Sequence, residues 1–170
     1  MNRAFVNEHD GDAEHALPAW PSDHPNYVTP HGMQQLRERL AAMQAQHDEL
    51  ATGEESDAPA RQSARATLER ELHYLNARAA SAIEVDLSKQ PRDRVAFGAI
   101  VTVDGGEGEQ RWQIVGEDEA DAEHGRVSYV SPLASALIGA RVGDEVRWQR
   151  PAGDMTIEVV RIEYGNGAHR

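Results

Sequence analysis

Two series of mostly apolar positions in the first half of the chain follow a helical period, with successive members three or four residues apart. The first series comprises Met33, Leu36, Leu40, Met43, His47 and Leu50, and the second comprises Ala64, Leu68, Leu72, Leu75, Ala79 and Ala82. Each helix therefore has one narrow apolar stripe that must be covered. Because residues 51–63 interrupt the pattern with Gly53 and Pro59, the sequence predicts an antiparallel helical hairpin, a short coiled coil, over residues 28–87.

The start of this hairpin is marked by two adjacent residues. Thr29 is a favourable N-cap, and Pro30 follows at the first helical position, where its missing N–H costs no hydrogen bond. At a rise of ~1.5 Å per residue, arms of about 20 residues extend for ~30 Å. The sequence thus predicts a stiff, projecting pair of helices.

From residue 95 onward the period changes to that of strands. Runs rich in Val, Ile, Thr and aromatic residues are separated by turn signals such as Asp104-Gly105-Gly106. These runs cover residues 95–103, 111–115, 126–130, 144–149 and 155–164. Because only residues 131–139 have a helical pattern here, the sequence predicts an α+β chain whose second domain, residues 88–165, is a small antiparallel sheet with one short helix.

The two ends of the chain lack sustained periodicity. Residues 1–27 are acidic and contain three prolines, which is typical of a disordered tail, and residues 166–170 are expected to fray. No apolar stretch has the length of a signal peptide or a membrane span. These features predict a soluble, cytoplasmic protein without membrane contact, and two stripes that cover each other favour a monomer.

Composition and motifs narrow the possible chemistry. The 170 residues carry a net charge of −12 and include no Cys. Such a chain is too acidic to hold bare nucleic acid by counterion release, and it has no disulfide or thiolate chemistry. Neither a phosphate-binding glycine loop nor a G-x-S-x-G motif is present. The acidic residues 116–125 are interpreted as a solvated surface loop, and no self-contained active site is predicted.

The predicted tip of the hairpin is the remaining candidate for chemistry. Residues 53–59 contain three carboxylates, Glu54, Glu55 and Asp57, and the nearest basic residue that follows is Arg61. Mg²⁺ accepts one or two protein carboxylates and keeps water in its other positions. A lone tip cannot fix such an ion, so the pattern predicts that any metal here, held by Glu54 and Asp57, is shared with a partner.

Five landmarks in order along the chain resemble the Gre-type bacterial transcription elongation factors, the GreA/GreB family. The first, "NYVTPHGMQQLRERL", looks like that family's first hairpin helix. The others look like successive landmarks of its C-terminal domain: "VAFGAIVTV", "RWQIVGEDEAD", "VSYVSPLASALIGARVGDEV" and "VVRIEY". The resemblance covers about residues 27–164.

The resemblance implies a function that no single motif shows. Family members bind RNA polymerase through an FKBP-like C-terminal domain at the rim of the secondary channel, and their hairpin points toward the active site. Ser131, Pro132, Leu133 and Ala134 match the polymerase-docking region. Acidic tip residues help to hold a Mg²⁺ ion while the polymerase cleaves backtracked RNA. The chain itself is then not an enzyme, and it meets transcript RNA and DNA only indirectly, within the elongation complex.

The tip departs from the family pattern, which reads Gly-Asp-x-x-Glu-Asn-Ala-Glu-Tyr. Glu54 and Asp57 match in charge, but the Asn and Tyr are missing and Pro59 interrupts a helix. The hairpin is also about a dozen residues shorter than in the family, which removes ~9 Å of reach. Two hypotheses therefore stand, a factor that stimulates transcript cleavage and a non-cleaving paralogue that occupies the channel and modulates or inhibits transcription.

Two other classes of function are also compatible with the predicted elements. A small sheet domain with one helix would suit a peptidyl-prolyl isomerase-like binder, which needs a pocket lined by aromatic residues. Aromatic residues make up 5% of this chain and are dispersed, which weakens that hypothesis. A helical hairpin would also suit a general coiled-coil interaction module unrelated to transcription. The absence of RNA polymerase subunits among the partners recovered with the protein would favour that module over the Gre-type factor.

Overall fold

The chain folds into a pair of long helices followed by a curled five-stranded sheet, in a computed structural model that describes residues 22–53 and 57–165. Residues 1–21 of the predicted tail and residues 166–170 lie outside the described residues. The elements are β1 (Tyr27–Val28), α1 (Pro30–Ala51), α2 (Pro59–Ser81), β2 (Ile83–Glu84), β3 (Ile100–Asp104), β4 (Glu109–Val115), β5 (Arg126–Ser128), α3 (Pro132–Leu137), β6 (Glu145–Trp148) and β7 (Met155–Glu163).

Helices α1 and α2 form the predicted antiparallel hairpin. Leu36, Leu72 and Leu75 are buried between the helices, while most of the other stripe residues are half-buried. The Thr29 hydroxyl accepts a hydrogen bond from the Gly32 N–H at 3.0 Å, which confirms the N-cap. Along most of their length the faces away from the stripe are exposed, which is typical of a hairpin that projects from its base.

Two details of the hairpin differ from the prediction. Pro59 does not interrupt a helix but begins α2, where the first turn needs no N–H from it. Ala64, predicted to lie in the stripe, is exposed, and the longer side chains of Arg61 and Arg65 are half-buried at that level. His47 is tolerated in the stripe because its Nε2 lies 2.9 Å from Glu69 Oε1 across the hairpin. That hydrogen bond lowers the pKa of the Glu69 carboxyl.

The sheet has the strand order β5-β4-β3-β7-β6. Three of its strand pairs are antiparallel, as predicted, but β4 and β5 run parallel, so the sheet is mixed. The antiparallel prediction is wrong at this edge because residues 116–125 do not form a hairpin turn. They carry the chain back across the end of the sheet, and β5 starts in the same direction as β4.

One core lies between the sheet and α3. It is built from alternate residues of β3, β4 and β7 and from the inner side of α3, including Val101, Val103, Ile114, Leu137 and Val159. The predicted strand run at 95–103 becomes a strand only at Ile100, because Val95 instead exchanges backbone hydrogen bonds with residues 139 and 140 after α3. This exchange holds α3 against the sheet.

A second, two-stranded sheet closes the base of the hairpin. In it β1 pairs in parallel with β2, so that Tyr27 lies opposite Ile83 and Val28 opposite Glu84. The chain therefore begins and ends the hairpin at the same place. Within the described residues, none of the helices is both long and apolar enough to cross a membrane.

Candidate functional site

The tip of the hairpin is formed by the end of α1 and the start of α2. The Arg61 guanidinium donates a hydrogen bond from Nη2 to the Glu49 carbonyl at 3.0 Å and reaches the Thr52 carbonyl at 3.5 Å. It thus satisfies carbonyls that the end of α1 leaves without helical partners. Asp57 is exposed beside this cap, whereas Glu54 and Glu55 lie outside the described residues.

The structure describes only part of the predicted tip, so a metal held there by Glu54 and Asp57 stays a prediction. Of the three predicted carboxylates the described residues contain one, Asp57, and a positively charged guanidinium caps the neighbouring helix end. Across residues 22–53 and 57–165, no three His, Asp or Glu side chains come together in a way that could hold a metal ion. Because Mg²⁺ needs more ligands than one or two carboxylates, a metal at the tip would be completed by a partner.

The predicted docking residues at the start of α3 separate into two layers. Ser131 is the N-cap, and its hydroxyl accepts a hydrogen bond from the Ala134 N–H at 3.2 Å. Leu133 and Ala134 are buried in the core, whereas Pro132 is exposed. A partner that contacts this segment meets Pro132 directly, and Leu133 and Ala134 support α3 from below.

The same segment exposes two apolar residues that the sequence did not single out as surface residues. Ile138 is 43% exposed and Val142 is 58% exposed. These two residues and Pro132 are exposed apolar residues of α3 and the turn after it, and we call them the α3 patch (Pro132, Ile138 and Val142). The sequence held no signal that separates Leu137 from Ile138, because adjacent residues of α3 can both be buried, as Leu133 and Ala134 are.

The acidic loop after β4 contacts the hairpin, so its interpretation as a solvated loop is wrong. Asp118 accepts a hydrogen bond from Arg78 Nε at 2.6 Å and another from the Tyr74 hydroxyl at 2.8 Å. A Glu117 carboxylate oxygen lies 3.7 Å from the Arg78 guanidinium and also accepts a hydrogen bond from the Ser22 hydroxyl at 2.8 Å. These carboxylates bind α2 near its C-terminal end.

The next residue of the loop binds the start of α1. Glu119 accepts hydrogen bonds from the Thr29 N–H at 3.0 Å and from the Thr29 hydroxyl. A carboxylate at this position is favourable because the N-terminus of a helix carries a partial positive charge. Gly32 and Gly116 permit the close approach, since a Cβ at Gly32 would overlap the Glu119 carboxylate. We call Glu117, Asp118 and Glu119 the acidic clasp.

Arg78 is the centre of the polar contacts of the acidic clasp. Its side chain is 4% exposed, although it lies in the last turns of a helix whose other buried residues are Leu72 and Leu75. Asn26 completes its surroundings, because Arg78 Nη2 donates to Asn26 Oδ1 at 2.8 Å and Asn26 Nδ2 donates to the Arg78 carbonyl at 2.8 Å. Burial, followed by the hydrogen bond to Asp118, raises the pKa of the Tyr74 phenol, which therefore remains a donor.

Comparisons with known proteins agree on one family. A sequence profile described as "Transcription elongation factor, GreA/GreB, C-term" matches residues 90–164. The transcription elongation factor GreA of Pelobacter propionicus is 38% identical over 120 residues, which is 69% of this chain and 75% of that protein. The GreA of Brucella canis is 33% identical over 153 residues, covering 81% of this chain and 96% of that protein.

Solved structures with a similar course of the chain include the GreA factor homolog 1 (Gfh1) protein of Thermus thermophilus. It is 23% identical, and the alignment covers 82% of this chain and 99% of that chain with a TM-score of 0.39.

Proposed function

Since the chain belongs to the GreA/GreB family of transcription elongation factors, we propose that it binds RNA polymerase, with the sheet domain at the rim of the secondary channel and the hairpin pointing into it. In this proposal residues 88–165 form the docking domain and residues 28–87 form the inserted hairpin. The factor acts as a cytoplasmic monomer, and it meets transcript RNA and DNA only inside the elongation complex. The polymerase remains the catalyst.

The α3 patch is the observation that supports docking through the sheet domain. It places apolar side chains on the surface immediately after Ser131, within the segment that resembles the polymerase-docking region of the family. Exposed apolar residues within one short segment of a fold otherwise rich in charge are typical of protein interfaces. Leu133 and Ala134 hold this surface in place from the core.

Substituting the exposed members of the α3 patch tests this docking. We expect the double variant Ile138→Asp/Val142→Asp to bind core RNA polymerase about tenfold more weakly or worse, because two charges would be desolvated at the interface. Ile83→Asp is the matched control, since Ile83 is also exposed, at 49%, but lies on β2 at the base of the hairpin. Equal binding of a folded double variant and the control, measured by fluorescence anisotropy, would contradict docking at this patch.

We further propose that the factor occupies the channel without supplying a metal ligand. Two features of the tip support this mode: the Arg61 guanidinium at the end of α1, and the start of α2 directly at Pro59. The shorter hairpin adds to this, because cleavage geometry tolerates errors of about an ångström. Cleavage stimulation is the second candidate, and the acidic character of Glu54, Glu55 and Asp57 favours it.

Transcript cleavage on stalled elongation complexes distinguishes the two modes. We expect the wild-type factor to slow elongation and to leave the cleavage rate at the level of polymerase alone. The variants Glu54→Ala and Asp57→Ala should then behave as the wild type does. Stimulated cleavage that either substitution abolishes would instead establish the second candidate and identify the ligand.

A further inference from the structure

We propose that the acidic clasp sets the direction in which the hairpin leaves the sheet domain, with Arg78 as the positioning residue. The inference rests on the proposed function, because direction matters only if the tip must reach a defined place in a partner. It assigns no ligand to these carboxylates. Their role is to determine where the distant tip lies.

The acidic clasp binds the two helices separately. Glu119 is bonded to the N-terminus of α1 through Thr29, while Asp118 is bonded to Arg78 and Tyr74 of α2. A single attachment would allow the hairpin to turn about that point. Two attachments from adjacent loop residues to different helices remove this freedom, because any tilt of the hairpin lengthens the hydrogen bonds at one of them.

The interactions of Arg78 contribute more to the orientation of the hairpin than to the stability of the fold. The helical period places Ala79, not Arg78, in the apolar stripe at this level, and burying a guanidinium costs a desolvation penalty that its partners must offset. A buried ion pair adds little net stability compared with apolar residues of similar size. Hydrogen bonds, unlike apolar contacts, have a preferred geometry, and Arg78 makes them to Asp118 and Asn26 at once.

Apart from the hydrogen bond that the Tyr129 hydroxyl donates to the Pro25 carbonyl at 2.5 Å, the remaining contacts at this joint are less directional. The rings of Tyr27, Phe97 and Tyr129 meet edge-on or tilted, with centroids 5.5 to 5.9 Å apart. The pairing of β1 with β2 closes the base of the hairpin but does not join it to the five-stranded sheet. Removing Arg78 should therefore leave the two domains in contact while widening the range of angles between them.

The length of the hairpin amplifies any such change. The 22 residues of α1 extend for ~33 Å, so a tilt of ~10° at the base displaces the tip by ~6 Å. In the proposed channel, a displacement of this size would bring the tip against different groups of the partner. A contact at the base therefore determines the position of groups at the tip, which lie ~30 Å away along the helices.

Distance measurements between two spin labels test the inference directly. The chain has no cysteine, so Gln46→Cys on α1 and Thr156→Cys on β7, both exposed, give labels at those two sites alone. We expect one narrow distance distribution in the otherwise unchanged chain. Arg78→Met should broaden or shift it by ~5 Å or more, while Asp118→Asn should have a smaller effect in the same direction. Arg70→Met is the matched control, because Arg70 is an exposed residue of the same helix.

A functional measurement separates positioning from stability. At saturating factor, we expect Arg78→Met to reduce the effect on transcription about tenfold, while its affinity for RNA polymerase stays within about twofold of the wild type. Unchanged distance distributions in both Arg78→Met and Asp118→Asn would overturn the positioning role and leave the proposed function intact. Failure of the wild-type factor to bind polymerase would instead overturn the proposed function, whatever the distances show.

Discussion

Replacing Leu137 with Ala is expected to lower the free energy of unfolding by about 3–4 kcal/mol. The Leu137 side chain is fully buried among residues of β3, β4 and β7, so its removal loses apolar burial and leaves a cavity that the packed sheet cannot fill. Urea unfolding followed by tryptophan fluorescence measures the change, since Trp112 and Trp148 pack against this core. Neither residue is altered in the variant.

The adjacent residue provides the control for this prediction. Ile138→Ala should cost about 0.5 kcal/mol, because Ile138 is largely exposed and its truncation opens no cavity. The same variant is expected to weaken binding to RNA polymerase, which Leu137→Ala, at temperatures where it is folded, should not do directly. Similar losses of stability in the two variants would contradict the division of this segment into a core layer and a surface layer.

Gly116→Ala is expected to destabilise the protein by about 2–3 kcal/mol, through the overpacking of a close backbone approach. A Cβ at residue 116 would lie 2.2 Å from the carbonyl oxygen of Tyr27, and a backbone atom held in β1 cannot move aside. The loop would have to shift, and with it Glu119, which accepts a hydrogen bond from the Gly116 N–H at 3.3 Å. Thermal unfolding measures the loss.

Gly105 provides the matched control for the substitution of Gly116. A Cβ at Gly105 would also meet an atom closely, at 1.9 Å, but that atom is the terminal methyl of Met155, which can rotate away. Gly105→Ala should therefore cost less than about 1 kcal/mol. If both variants lost the same stability, the contact between the acidic loop and the base of the hairpin would not be as close as the structure has it.

The long helices were predictable because their periodicity is local. Thr29, Pro30 and the spacing of the leucines each specify helix within a few residues, and the structure has α1 and α2 where these signals place them. The sheet was predictable as strands for the same reason. Its parallel edge was not, because the direction of β5 depends on the course of residues 116–125, in which no turn motif specifies a hairpin.

The acidic clasp shows why sequence alone missed a contact of this kind. Carboxylates in a loop are usually solvated, and nothing near residues 117–119 indicates a partner. The partner, Arg78, lies about 40 residues earlier, next to the stripe residue Ala79, where a charged side chain is expected to be exposed. Only the fold shows that this side chain is buried and which opposite charge it meets. The proposed docking surface was predictable only in part: the resemblance assigned Pro132 to it, whereas the sequence did not show that Ile138 and Val142 are exposed.

Because β1 pairs in parallel with β2, the hairpin can change in length without any change to its base. The chain leaves the base at Val28 and returns at Ile83, on neighbouring strands about 5 Å apart. Equal deletions or insertions of about seven residues in each arm would preserve both the seam and its rotational phase, without altering any residue of the base. Reach can thus be tuned, in evolution or by engineering, while the platform that carries it stays the same.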